Sequence, residues 1–466
     1  MRTNQRIQQQ GGTRVVWRET AAAPGERPLR AGIWPGKLNS FQRMMLNWED
    51  LHPYVAVHAL RLPRPLPHTL LMDSAHSILA EAGLNSISLE SSRRRYRWGD
   101  FDFRPEVALI PEADEPIQAL EREIARQLNR GFREGPHCPF RFFHLARGEK
   151  VTHLGMTYHH FVADAHSSAL ILSRILGHAL GVGEEAAPGR LGLYPPSMRT
   201  AFPSGLSGRR APVILAGILR DFLRYKRAFA PDYQSSDNLS VGFRAGAERI
   251  ELAPVKAFAK EWGGTLQDTV FAAVLEALAE VFPLGARRSG WRRRLALAAA
   301  IDLRRFAGTD LSRSVGQFLG SFAVTHDAPP RHPFGPLVRD VARQTRRAKE
   351  RGHFFGHIWS FALMDRFWPL FSLGLKKNHS RWVFPLAGAL SNMNLSPMFG
   401  AAGVPFYLRA ASTGPIMPLL VDVTTVGETF SLTTMFRRSA FSDEETRRIT
   451  HRIRFRLENP AWRASA

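Results

Sequence analysis

The 466-residue chain contains a single cysteine, Cys138. One thiol makes no internal disulfide and no metal-ligand spacing surrounds it, so a disulfide scaffold and a zinc module are both excluded. Long apolar runs are missing as well: nowhere do roughly 18 uncharged apolar residues follow one another, which predicts no transmembrane helix. Arg2 and Arg6 have no apolar stretch behind them, so no signal peptide is read. The expectation is a cytoplasmic protein, with peripheral contact at the inner face of the membrane left open. Acidic residues are scarce, 41 against 63 basic ones, for a net charge of +22. That excess favours anionic partners: nucleic acid, the phosphates of coenzyme A, an acidic carrier protein or a membrane surface. The arginines cluster at 93–97, 292–294 and 447–456 without any nucleic-acid motif, so no nucleic-acid partner is expected.

What is present suffices for a large core. Apolar residues make up 44% of the chain and charged residues 22%, the mix of an ordinary globular protein. The length suits two lobes. We divide it into a disordered tail over 1–30, an N-terminal lobe over 31–185, a linker and basic helix over 186–240, and a C-terminal lobe over 241–466. The pattern predicts a helix over Ser40–Asp50 with Ser40 as candidate cap, a strand over Tyr54–Leu62, and helices over Leu66–Gly83 and Pro116–Arg130. Two apolar strands, Pro139–Leu145 and Val151–Tyr158, are joined by a tight turn at Arg147-Gly148-Glu149. The hairpin delivers the chain to His159 and His160, and a helix is expected over Ala165–Leu180. In the second half, a basic helix is read over Val213–Phe229, a long apolar helix from Thr265, and strands over Leu295–Leu303, Leu386–Asn392, Leu419–Thr425 and Thr429–Phe436. A last helix is read over Ser442–Glu458. Strands and helices alternate irregularly, which indicates an α/β fold with mixed sheets flanked by helices.

His159, His160 and Asp164 stand where an apolar strand gives way to a helix, a place from which side chains reach into a cleft. From these residue types alone several readings stay open. A histidine near neutrality is a competent general base, with the carboxylate organising its loop. Alternatively the two histidines simply close a strand and Asp164 caps the following helix. A metal site is disfavoured, because adjacent strand residues point to opposite faces. No Gly-x-Ser-x-Gly elbow exists to seat a hydrolase nucleophile.

The string His159-His160-Phe161-Val162-Ala163-Asp164-Ala165 resembles the His-His-x-x-x-Asp-Gly signature of the chloramphenicol acetyltransferase and peptide-synthetase condensation-domain superfamily. Other elements follow in the same order. Thr265-Leu266-Gln267-Asp268 resembles the opening of the family's second lobe, Ile301-Asp302-Leu303-Arg304 its Asn/Asp-Leu-Arg element, Val315-Gly316-Gln317-Phe318 its Gly-Asn-Phe element, and Leu390-Ser391-Asn392 its Ser-Asn element. The similarity runs from about Leu38 to Glu458. It implies two chloramphenicol-acetyltransferase-like lobes with an active-site tunnel between them, and an acyltransferase of the EC 2.3.1 type. The implied donor is acyl-CoA or a phosphopantetheinyl acyl carrier protein, no bound cofactor or metal is needed, and the acceptor is a hydroxyl or an amine.

Carried over by position, His160 is the base, His159 shapes the channel, and Asp164 is structural, held by Arg304. Ser391, Asn392 and Gln317 line the tunnel. Ala165 departs from the signature Gly, which requires a negative φ there or loose packing. No carrier or adenylation domain is attached, so a standalone, monomeric enzyme is expected. The Ala163-Asp164-x-His166 pattern is similar to polyketide-associated and other freestanding lipid-modifying O-acyltransferases. The competing class is a catalytically silent member that binds a carrier protein or lipid. The aromatic stretch from Phe354 to Phe371 reads equally as core packing or as a lid facing a lipid-like substrate beside Lys376, Lys377 and Arg381.

Overall fold

The computed structural model describes residues 34–112, 115–181, 192–193, 198–203, 205, 211–226, 228–229, 237–282, 294–327, 332–379 and 385–461. The expected tail over 1–30, much of the expected linker, and Arg381 lie outside them.

Two sheets organise the chain. The first runs in the order Tyr407–Ala411, Val55–Pro67, Lys150–His159, Phe140–Arg147, Glu106–Pro111, with only the last pair parallel. The second runs Leu319–His326, Leu295–Asp302, Gly388–Asn394, Leu419–Val426, Thr429–Arg437, Val241–Glu251, and Gly388–Asn394 is parallel to both of its neighbours. Both sheets are therefore mixed. They share a buried cluster in which Val55, Val57 and Ala59 of the first meet Phe243, Leu420 and Met435 of the second. At ~25 cal/mol per Å² of apolar surface removed from water, such side chains are strong reasons for the lobes to stay together.

Local chemistry explains the segments that deliver the site. In the hairpin before the two histidines, Arg147 pairs with Lys150, leaving Gly148-Glu149 as a two-residue turn. Gly148 has φ of 64° at the first central position, where glycine carries no penalty. The helix Ala165–Leu180 starts at Asp164, whose carboxylate accepts from the Ser167 N–H at 2.9 Å, and ends at Gly181 in the left-handed region. Thr265 and Asp268 form a reciprocal capping box for Leu266–Val281. The first helix, Ser40–Glu49, is capped by Asn39 and not by Ser40, because Asn39 and Gln42 exchange side-chain and backbone hydrogen bonds. Ala165 is not among the described non-glycine residues with positive φ, which are Arg93 and Leu239, so the alanine is accommodated without strain. Of the aromatic stretch, Phe354, Phe355, Phe361 and Trp368 are buried, whereas Phe367 is exposed.

One polar clamp ties the first half of the chain to the second. Asp164 Oδ2 accepts from Arg304 Nη1 at 2.7 Å and Asp164 Oδ1 from Arg304 Nη2 at 3.0 Å. Arg304 also donates to Ser167 Oγ and the Ser314 carbonyl, and its guanidinium lies 4.2 Å from the Phe318 ring centroid. The Phe318 N–H donates to Asp164 Oδ2 at 3.1 Å, and the Asp164 N–H donates to the Gly316 carbonyl at 2.9 Å. Burial works to raise the pKa of Asp164, but the charge and hydrogen bonds of Arg304 outweigh it and hold the carboxyl below its ordinary range. Asp164→Asn and Arg304→Ala should each cost ~3–5 kcal/mol of stability, because each leaves a buried polar partner uncompensated. The double substitution should cost less than the sum, measured as a double-mutant cycle by denaturant unfolding. Strict additivity would show that the two side chains do not act as one unit.

Candidate active site

Strand alternation decides which histidine faces where. His159 points away from the cavity: its Nε2 lies 3.1 Å from Glu49 Oε2 and its ring stacks on Phe132 at 5.2 Å. Burial acts to raise the Glu49 pKa, but His159, with the Tyr54 N–H, reverses this and lowers it. The pair is thus a packing contact behind the strand. His160, one residue on, enters the cavity wall together with Tyr158 and Tyr54. Its ring stacks on Tyr54 at 5.5 Å and 14° and meets the edge of Tyr158 at 5.8 Å and 88°.

The tautomer of His160 follows from its neighbours. Its Nδ1 lies 3.2 Å from the Ala163 carbonyl, which can only accept, and 3.3 Å from Gln317 Nε2, whose two protons go to the carbonyls of His160 and Ala163, so Nδ1 carries the proton and Nε2 the lone pair. Nε2 has no partner among the described residues and is not sealed from the cavity. Burial disfavours the imidazolium and pushes the pKa below 6.5, only partly offset by the Ala163 carbonyl and Asp164. The ring is held as a neutral base.

Gln317, expected in the tunnel, lies behind the motif loop instead. Its Nε2 donates to the Ala163 carbonyl at 2.6 Å and to the carbonyl of His160, so that nitrogen is spent on backbone, and the side chain is absent from the cavity lining. Asp164 and Arg304 are likewise outside the lining, and their contribution is to hold the loop. Ser391 lines the cavity whereas Asn392, its neighbour on the strand, does not, as alternation requires. His166 reaches the Ser312 carbonyl at 2.9 Å and also lies outside the lining.

The cavity holds about 580 Å³. Its apolar wall includes Phe41, Met45, Phe361, Met364, Met417 and Leu420. A second polar group also lines it: Ser391, which the Ser-Asn motif had placed there, with His58, Tyr158, Arg409 and Asp422, for which no motif had assigned a role. Arg409 is buried, and donates to Thr424 Oγ1 at 2.8 Å, Ser391 Oγ at 2.9 Å, and the carbonyls of Ser391 and Val423. Asp422 is pushed up by burial, with Arg409 and Ser391 resisting. His58 sits 2.7 Å from the Tyr407 hydroxyl and 3.4 Å from that of Tyr158, and burial with the Arg409 charge keeps it neutral. The available signal was a His, an Arg and an Asp each set among apolar neighbours, His58 within Val55-Ala56-Val57-His58-Ala59-Leu60, Arg409 within Tyr407–Ala411 and Asp422 within Leu419-Leu420-Val421-Asp422-Val423. Chemically, the arrangement offers one accessible neutral base and a fixed cation in a mostly apolar chamber.

No protein-family model matches the chain, and no curated protein matches it. Solved structures do. The first condensation domain of the CDA synthetase superposes with a TM-score of 0.61 at 16% identity, over 92% of this chain and 98% of that one. The epimerization domain from the third module of tyrocidine synthetase B gives 0.57 at 10%, over 92% and 96%. The cyclization-docking bidomain of EpoB from Sorangium cellulosum gives 0.64 at 12%, over 95% and 88%. The chain therefore has the condensation-domain fold, two chloramphenicol-acetyltransferase-like lobes built on mixed sheets.

Proposed function

We propose that this protein is an acyltransferase that moves an acyl group from a pantetheine thioester to a hydroxyl acceptor, with His160 as general base. The observation that carries the reading is the His160 ring: Nδ1 fixed by the Ala163 carbonyl, Nε2 accessible in a cavity of about 580 Å³. Nε2 takes the proton from the acceptor hydroxyl as its oxygen bonds to the thioester carbonyl carbon. The tetrahedral intermediate then collapses with cleavage of the C–S bond, and the imidazolium returns the proton to the departing thiolate. The thioester is already activated, so no enzyme nucleophile and no cofactor enters the balance. Arg409 is suited to the negative charge that develops on the carbonyl oxygen, because a buried cation on the cavity wall favours it. Coenzyme A and an acyl carrier protein both present the pantetheine thioester that this reading needs. An amine acceptor would use the same base and yield an amide.

His160→Ala should lower turnover by ~10²–10⁴-fold while leaving the melting temperature near that of the wild type. His159→Ala should cost less turnover and more stability, since that ring is packed on Phe132 and Glu49. Thiol release from acyl-CoA or an acylated carrier protein in the presence of alcohols measures both, and a larger turnover loss at His159 would reassign the base. The pH profile tests the electrostatics separately. Because the active form is the deprotonated one and burial depresses its pKa, kcat/KM for the free enzyme should be flat above pH 6.5 and fall only below it. An acid limb centred above 6.5 would contradict a desolvated His160.

A further inference from the structure

The nine exposed large hydrophobic side chains are not scattered over the described surface. Apart from Leu70 they fall in two stretches: Val213, Leu215, Leu219 and Leu223 on the helix Ala211–Tyr225, and Leu363, Phe367, Leu370 and Leu373 on the helix Gly356–Phe367 and the turn after it. The two helices pack on each other. Leu215, Leu219 and Leu223 repeat every four residues and so form one stripe along the solvent side. From Pro212 to Leu219 the chain is apolar without interruption, before Arg220 and Asp221 end the run, and two turns of helix that are apolar all round are normally covered on every side. Here one stripe faces water, at 54%, 59% and 60% exposure, and Leu370 reaches 77%. Single exposed leucines are unremarkable, but a contiguous patch of this kind marks an interaction surface.

What covers it is indicated by its surroundings. The same helices line the cavity, through Val213, Gly217 and Arg220 on one and Ser360, Phe361 and Met364 on the other. Val213 belongs both to the patch and to the cavity lining, so the patch adjoins the cavity. Basic side chains edge it: Arg220, Lys226 and Arg366 are exposed, Lys376 and Lys377 follow the patch, and Arg347 and Arg351 stand at the cavity rim. No described helix is long and apolar enough to cross a membrane. An apolar stripe edged by cations on a chain of net charge +22 is the pattern of a surface that lies in the interface of an anionic bilayer.

We propose that Ala211–Tyr225 and the 363–373 segment seat the protein on an anionic lipid bilayer, so that the cavity opens into the lipid interface and takes an amphiphilic acceptor from it. The acceptor's identity as a substrate rests on the acyl-transfer reading; the membrane contact does not.

The test is co-sedimentation with vesicles of phosphatidylcholine alone and of phosphatidylcholine mixed with phosphatidylglycerol. The full-length chain should sediment with the mixed vesicles and much less with the neutral ones. Leu219→Glu combined with Leu370→Glu should lower partitioning by about tenfold or more, since two buried leucines contribute more than the ~1.4 kcal/mol that a factor of ten represents. Neither residue lines the cavity, so thiol release with water-soluble acceptors should persist. If the charged pair unfolds in a thermal melt, Leu215→Ser with Leu373→Ser replaces it. His160→Ala should sediment like the wild type, which separates failure of this surface from failure of the base. The proposal is overturned if neither vesicle binds, if binding ignores the substitutions, or if the patch instead mediates dimers or carrier-protein binding that the same substitutions abolish.

Discussion

Everything in the site is referred to one buried ion pair. Asp164 collects five donors, from the backbone and hydroxyl of Ser167, both terminal nitrogens of Arg304, and the Phe318 N–H. A carboxylate offers about four lone-pair sites, so it is saturated. Buried and with no capacity to spare, the pair has one low-energy arrangement, and Asp164 fixes the loop that precedes it. The next link is Ala163, whose carbonyl accepts from both Gln317 and His160. That carbonyl selects the tautomer of His160. A residue 140 positions away thus decides where a lone pair points, although Arg304 never touches the cavity.

This hierarchy explains why parts of the site are legible in the amino-acid sequence and others are not. The motif His-His-x-x-x-Asp can be read because a strand, a loop and a cap are local, and local rules of alternation and capping govern them. Arg304 is reachable only through a resemblance, since nothing at positions 302–304 announces a partner near 164. The polar wall of His58, Arg409 and Asp422 escapes because its members come from three separate strands. In each strand a single polar residue among apolar neighbours looks like an edge or a defect. The five-residue strand that carries Arg409 joins the first sheet from the far end of the chain, a crossing that no periodicity reveals. Gln317 is misplaced for the opposite reason: its motif is recognisable, but an amide can face either the tunnel or the carbonyls behind it, and the backbone carbonyls of His160 and Ala163 decide the matter.

The electrostatics of the chamber are mutually consistent. Arg409 is buried but shares its protons among two hydroxyls and two carbonyls, so its charge is solvated by the protein itself. Burial, reinforced by that charge, suppresses protonation of His58, and burial keeps His160 neutral. Two neutral imidazoles and one fixed cation suit a reaction whose intermediate is anionic. A cationic His160 in the resting state would have no lone pair to offer and would repel the guanidinium that shares its cavity.

The fold leaves the reaction underdetermined. Structures named for condensation, epimerization and cyclization superpose on this chain with similar scores. On the proposed reading a single base can remove a proton from whatever is delivered to it, and the scaffold is indifferent to whether the acceptor is a hydroxyl, an amine or a carbon acid. Discrimination must therefore come from delivery. In this chain the distinctive physical feature is at the entrance, where leucines face water beside arginines. Such a surface costs solubility in isolation, and a stretch of sequence apolar on every side is retained only if something apolar meets it. On the acyl-transfer reading, the chemistry at His160 and the patch beside the cavity are two ends of one selection: the base sets what can react, and the patch sets which molecules arrive.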